Sequence, residues 1–149
     1  MSRCRILLID DDPLFRSLIM AILRKDYMVS VASNGLEGFQ KALEHPPDLA
    51  VIDVQMPVWD GLKTLKGFRI HPTLKNVPVM MLTSDANKET VVAAIQGGAQ
   101  GYILKSSFMK DDFLKKVHRL LGEEDEPQDL AHDNSAIPAE MQAIRDNWE

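Results

Sequence analysis

Short, continuous apolar runs recur along the chain: Ile6 to Ile9, Met28 to Ala32, Leu49 to Ile52, Val77 to Leu82 and Gly101 to Leu104. Each is of strand length, and none alternates with polar residues, the pattern of strands covered on both faces of a sheet. Between them lie segments with helical spacing. Leu14, Leu18, Ile19, Ile22 and Leu23 follow i, i+4 steps, with Asp12 placed as N-cap and Pro13 at the first helical position. Asn34 or Ser33 caps a second helix through Leu36, Phe39 and Leu43, which Pro46-Pro47 ends. Leu62, Leu65 and Phe68 predict a third helix, Val91, Val92 and Ile95 a fourth, and Phe113, Leu114, Val117, Leu120 and Leu121 a fifth. The order is β-α five times over, with connections long enough for right-handed crossovers, so the chain predicts an α/β fold: a doubly wound parallel sheet with helices on both faces.

Ligands of such sheets bind outside the carboxyl ends of the strands. The residues there are selective: Asp10, Asp11 and Asp12 after the first run, Asp53 after the third, Thr83 and Ser84 after the fourth, Lys105 after the fifth. Each alone has a plainer use. Acids cap helices, a lone Asp or a Thr-Ser pair forms turns or caps, and a lone lysine is a solvated charge. Their coincidence at one sheet edge is what carries weight. Converging Asp10, Asp11 and Asp53 carboxylates require raised pKa values or a bound cation. The ligand set is all hard oxygen, which favours magnesium. A lysine and a hydroxyl opposite suit the oxygens of an added phosphoryl group, and an aspartate can be the nucleophile that accepts it.

The stretches Ile6 to Pro13, Leu49 to Gly61, Val77 to Ser84 and Gly98 to Lys105 together resemble the receiver domains of two-component response regulators, over about residues 4–121. That resemblance implies a flavodoxin-like three-layer sandwich with strand order 2-1-3-4-5 and five helices. It implies Asp53 as phosphoacceptor, attacking phosphohistidine on a sensor histidine kinase or phosphotransfer protein. It implies Mg2+ held by Asp10, Asp11, Asp53 and the backbone carbonyl of Gln55. Phosphoryl oxygens would be bound by Thr83, the Ser84 backbone and Lys105, and Thr83 with Tyr102 would form the switch, the ring turning inward once Thr83 moves. Gln55 and Asp85 would flank the phosphoryl group and tune its lifetime. The chain would then be a signalling phosphoacceptor, not an enzyme beyond its own phosphorylation and dephosphorylation. Its signal would go to a downstream protein, an output region outside this chain, or a second copy.

This sequence departs from the family pattern in two places. Lys105 is followed by Ser106 and Ser107 where the family has proline in a cis peptide, and Phe108 comes one residue late. A cis bond before serine would cost about 3–4 kcal/mol, so a trans bond and a rearranged loop are expected. Trp59 stands where methionine is common, and is expected as an exposed aromatic covering the site or, as the alternative, as a partner contact.

Charge and composition sharpen this picture. Residues 1–121 carry 13 acids and 16 bases, whereas residues 122–149 carry 9 acids and one base, Arg145. The expected organisation is a receiver body over 1–121, an acidic linker over 122–136 and, over 137–149, an amphipathic tail helix or the start of a missing output region, with Ile137, Met141, Ile144 and Trp148 on one stripe. One cysteine, Cys4, excludes disulfide and structural zinc scaffolds. No apolar run reaches the ~18 residues of a membrane span, so a cytoplasmic protein is expected. No basic recognition helix or nucleic-acid motif is present, so direct DNA binding is not expected. A phosphatase of the haloacid dehalogenase class would need a second Asp where Gln55 stands, and dinucleotide binding would need a glycine-rich loop where the three acids stand.

Overall fold

The computed structural model describes residues 3–84 and 87–123. The expected acidic linker from Glu124 onward, the tail stripe and Asp85 lie outside these residues. Five strands, β1 (Arg5–Ile9), β2 (Met28–Ala32), β3 (Leu49–Asp53), β4 (Val79–Thr83) and β5 (Gly101–Leu104), form one parallel sheet in the order β2-β1-β3-β4-β5. Helices α1 (Pro13–Leu23), α2 (Gly35–Glu44), α3 (Gly61–Ile70), α4 (Lys88–Gln96) and α5 (Lys110–Leu120) follow the strands in turn.

Side chains alternate across a strand, so each apolar run is shared between two cores. Leu7, Ile9, Ala50, Ile52, Val79, Met81, Tyr102 and Leu104 pack with α2, α3 and α4 through Ala42, Leu65, Phe68, Val91 and Ala94. Ile6, Leu8, Leu49, Val51, Met80, Leu82 and Ile103 pack on the other face with α1 and α5 through Ile19, Leu23, Phe113 and Val117. This division is why the runs of β1, β3, β4 and β5 are apolar through their buried length, whereas Ser30 interrupts that of β2.

Three expectations are corrected in detail. Met28 and Ser30 of β2 are exposed, so covering on both faces holds for the other four strands, the edge strand β5 included, and not for this one. On α1, the expected stripe contained Leu14 and Leu18, yet these are 82% and 46% exposed. Ile19, Ile22 and Leu23 of that stripe do face inward, joined by Phe15, whose i, i+4 step to Ile19 is as regular as that of Leu14 to Leu18. β4 begins at Val79 rather than Val77, because Val77 N–H closes a turn on the Leu74 carbonyl and Pro78 has no N–H to give.

Caps fix where the helices start. Asp12 accepts hydrogen bonds from the N–H groups of Leu14 and Phe15, and Asn34 accepts from Glu37 N–H. Asn87, and not the Thr83-Ser84 pair, caps α4. No peptide bond among the described residues is cis. Lys105–Ser107 form a single 3-10 turn that leads through Phe108 into α5, the rearranged loop expected from Ser106. No helix among the described residues is long and apolar enough to cross a membrane.

Candidate functional site

The residues after β1 and at the ends of β3, β4 and β5 meet at one edge of the sheet. Asp10 follows β1, Asp53 closes β3, Thr83 closes β4 and Lys105 follows β5. Parallel register does the alignment: Asp53 lies beside Leu82, and Thr83 beside Leu104. Gly61 sets how closely α3 approaches the end of β3. A Cβ there would stand 2.4 Å from the Asp53 carbonyl oxygen and 2.7 Å from Val54 Cα, so only glycine fits behind the aspartate.

One carboxylate oxygen from each of Asp10, Asp11 and Asp53 lies within 4.8 Å of the others. Asp10 is fully buried, Asp53 is 4% exposed and Asp11 faces solvent. Asp10 Oδ1 accepts a hydrogen bond from Asp12 N–H at 2.9 Å, while buried Oδ2 has no hydrogen-bond partner. That oxygen instead faces Lys105 Nζ at 2.9 Å as an ion pair. Lys105 Nζ also stands 3.4 Å from Asp53 Oδ2. The Gln55 N–H lies 3.4 Å from Asp53 Oδ1.

The electrostatics follow from this crowding. Burial, and next the nearby Asp10 charge, push the Asp53 pKa up to about 7, against the opposing pull of Lys105. Burial works against the Lys105 charge, but the Asp10 and Asp53 carboxylates outweigh it and raise that pKa. Three acids with one lysine leave an excess of negative charge. A cation with hard-oxygen ligands fits the gap: the donor set is all carboxylate, and it is open to solvent at Asp11.

Thr83 is buried, Ser84 is exposed, and Tyr102 lies on the same sheet face as Thr83. Tyr102 is 6% exposed, so it sits inward in this structure without any added phosphoryl group, and not outside awaiting the expected inward turn. Trp59 is partly buried against Phe39, at 5.3 Å between ring centroids, and Lys63 Nζ lies 5.2 Å over its ring. It packs between α2 and α3 more than it covers the site.

Some contributors were not read from the sequence. Arg16 donates to the Asp10 carbonyl oxygen at 2.6 Å, and its place one turn past Asp12 was the available signal. Val58, in the loop after Asp53, has φ of 69° and is 68% exposed. A β-branched residue in the left-handed region is an outlier that no residue pattern announces. Leu14, next to the acidic cluster, and Met109, between the Lys105 turn and α5, are exposed apolar side chains at the same end of the sheet.

Comparison with known proteins adds independent findings. The family described as response regulator receiver domain matches residues 6–118. Chemotaxis protein CheY of Bacillus subtilis is 34% identical over 119 residues, covering 78% of this chain and 97% of that protein. A nitrate/nitrite response regulator protein homolog of Haemophilus influenzae is 34% identical over 122 residues, 80% of this chain and 57% of that protein. The chain spans 57% or less of several curated relatives it matches, down to 9% of hybrid signal transduction histidine kinase D of Dictyostelium discoideum. Among solved structures, the receiver domain of a sensor histidine kinase from Pseudomonas aeruginosa PAO1 has a TM-score of 0.75 at 26% identity, over 82% of this chain and all of that one. That structure has a magnesium ion coordinated in its active-site cleft. The strand order, the four-strand-end constellation and these matches agree: the chain belongs to the response regulator receiver domain family.

Proposed function

We propose that this chain receives a phosphoryl group on Asp53 from a histidine kinase or phosphotransfer protein and passes the signal on by protein contact. The observation that carries the reading is a nearly buried Asp53 that shares one site with the Asp10 and Asp11 carboxylates and the Lys105 ammonium. Asp10, Asp11, Asp53 and the Gln55 carbonyl would hold Mg2+, as the resemblance implies, and the ion would supply charge neutralisation and orientation at the reacting oxygens. A carboxylate oxygen of Asp53 attacks phosphorus, the bond from phosphorus to the histidine nitrogen breaks, and the imidazole leaves. Lys105 moves from its carboxylate partners toward a phosphoryl oxygen, with the Thr83 hydroxyl and the Ser84 N–H on others. Little covalent work is asked of the protein; positioning and charge account for the rate.

The new dianionic group is then read by Thr83 and Tyr102. Since Tyr102 is inward in this structure, phosphorylation acts by holding it there, a shift of population between two arrangements. Moving such an equilibrium from 1:99 to 99:1 takes about 5.5 kcal/mol of differential binding. Two charge-assisted hydrogen bonds of about 1.5–3 kcal/mol each are of that size. The exposed Leu14 and Met109 border the site and form the contact for the phosphodonor protein, while the face carrying Tyr102 meets the output partner. The body over 1–121, the acidic linker and the tail form the organisation of the chain, which works in the cytoplasm as a phosphoacceptor and not as an enzyme with an external substrate.

The test is incubation with Mg2+ and acetyl phosphate followed by intact mass. Wild type should gain one phosphoryl group and Asp53→Asn none. Equal labelling of both, or no labelling of wild type, overturns the assignment.

A further inference from the structure

Three aromatic rings lead from the helical core to the Lys105 ammonium. Phe113 on α5 is fully buried, and its ring centroid lies 5.3 Å from that of Phe108. Phe108 in turn meets Phe15 edge to face, at 5.4 Å and 79°. Lys105 Nζ stands over the Phe15 ring, 4.8 Å from its centroid. The far end of the row is held by α1, where the Asp12 carboxylate accepts from the Phe15 N–H and fixes the helix start. No proline follows Lys105 to set the course of the backbone, so the loop is shaped by what packs beneath it: Phe108, then Phe15.

We propose that Phe15 is a positioning residue for Lys105, its ring face holding the ammonium aimed at the phosphoryl oxygen. This rests on the reading of Asp53 as phosphoacceptor and extends it. A lysine stem has four rotatable bonds, and a free ammonium would be distributed over many rotamers. In this structure Asp10 and Asp53 hold it, at 2.9 and 3.4 Å. Asp10 and Asp53 are also two of the carboxylates a cation would take, and Asp53 gives up its carboxylate charge when it becomes an acyl phosphate. The ring is the neighbour that neither event removes. It is uncharged, so it adds nothing to the repulsion between ammonium and metal, and its negative face still attracts the cation.

The test compares wild type, Phe15→Tyr, Phe15→Leu and chains carrying phenylalanines with one, two or three ring fluorines at position 15. Fluorine drains the ring face while nearly keeping its shape. Two readings are taken: Mg2+-dependent binding of beryllofluoride by calorimetry, and the ring-current shift of the Lys105 ε-methylene protons without metal or phosphoryl group. Phe15→Leu should lose beryllofluoride affinity on the order of tenfold, Phe15→Tyr should retain it, and the fluorinated series should decline stepwise. The upfield shift should be present in wild type and absent in Phe15→Leu. Unchanged affinity in Phe15→Leu overturns the proposal. So does a flat fluorinated series, which reduces Phe15 to a packing residue and also covers the case that Phe15→Leu is merely misfolded. Absence of the ring-current shift in wild type overturns the contact itself. The Asp53 reading fails separately, if wild type binds no beryllofluoride or Asp53→Asn binds it equally.

Discussion

Replacing Asp53 by asparagine in protein stripped of divalent ions should make the fold more stable at pH 8. The Asp53 pKa is raised from its ordinary 3.8 to about 7, chiefly by burial and next by the Asp10 charge. A carboxyl whose folded pKa lies above its unfolded one binds its proton more tightly in the native state. Stability from this group is therefore fully present below about pH 4, falls as pH rises through the window from about 4 to 7, and is gone above it. A shift of about three units corresponds to a ceiling of roughly 4 kcal/mol. The cleft is open at Asp11, and water entering beside the ionised carboxylate screens part of this, so about 2 kcal/mol is expected. For a body of this size that is a rise in Tm of roughly 6 to 10 °C. The assay is thermal unfolding of wild type and Asp53→Asn at pH 4, 6 and 8, with EDTA and then with excess Mg2+. The difference should be near zero at pH 4, grow to its full size by pH 8, and shrink when Mg2+ neutralises the wild-type cluster. A difference that is absent at pH 8, or equal at pH 4 and 8, would refute the electrostatic account of the site.

Further outcomes follow from single residues. Val58→Gly should stabilise the fold by about 1 kcal/mol, read as a higher urea midpoint at unchanged slope, because a β-branched residue at φ 69° is relieved; a lower midpoint would show that its side chain contributes more than the backbone strain costs. Lys105→Met should slow phosphorylation by acetyl phosphate at least tenfold and should move the Asp53 titration above about 7, measured by NMR of the side-chain carboxyl; an unchanged titration would remove Lys105 from the site. Leu14→Ala should leave labelling by acetyl phosphate unchanged and slow transfer from a phosphorylated histidine kinase or phosphotransfer protein, since an exposed side chain bordering the site acts only with a protein donor; equal slowing with both donors would point to a folding defect.

Most of the architecture is legible because the parallel sheet writes it twice, once in uninterrupted apolar runs and once in the polar residue that ends each run. Asp10, Asp53, Thr83 and Lys105 could be picked out from that rule alone, and the structure brings their strand ends together. Other features depend on choices that sequence leaves balanced. Leu14 and Leu18 make as regular a row as Phe15 and Ile19, and the inward one is decided by the rings of Phe108 and Phe113, far along the chain. The exposed face of β2 is not set by edge position alone, since β5 at the other edge is buried, and the run Met28 to Ala32 itself carries no sign of it beyond Ser30. The backbone of Val58 is a matter of conformation of which residue type carries no sign, whereas the reach of Arg16 to the Asp10 carbonyl is hinted at only by its place one turn past Asp12.

The central claim, that Asp53 carries the phosphoryl group, is tested most directly by chemical trapping. The protein is phosphorylated with acetyl phosphate and Mg2+, reduced with borohydride, digested and sequenced by mass spectrometry. An acyl phosphate is reduced to the alcohol, so the account predicts homoserine at position 53 and unmodified aspartate at positions 10, 11 and 12. Homoserine at any of those three, or none anywhere in a chain shown to be folded and loaded with Mg2+, would contradict it.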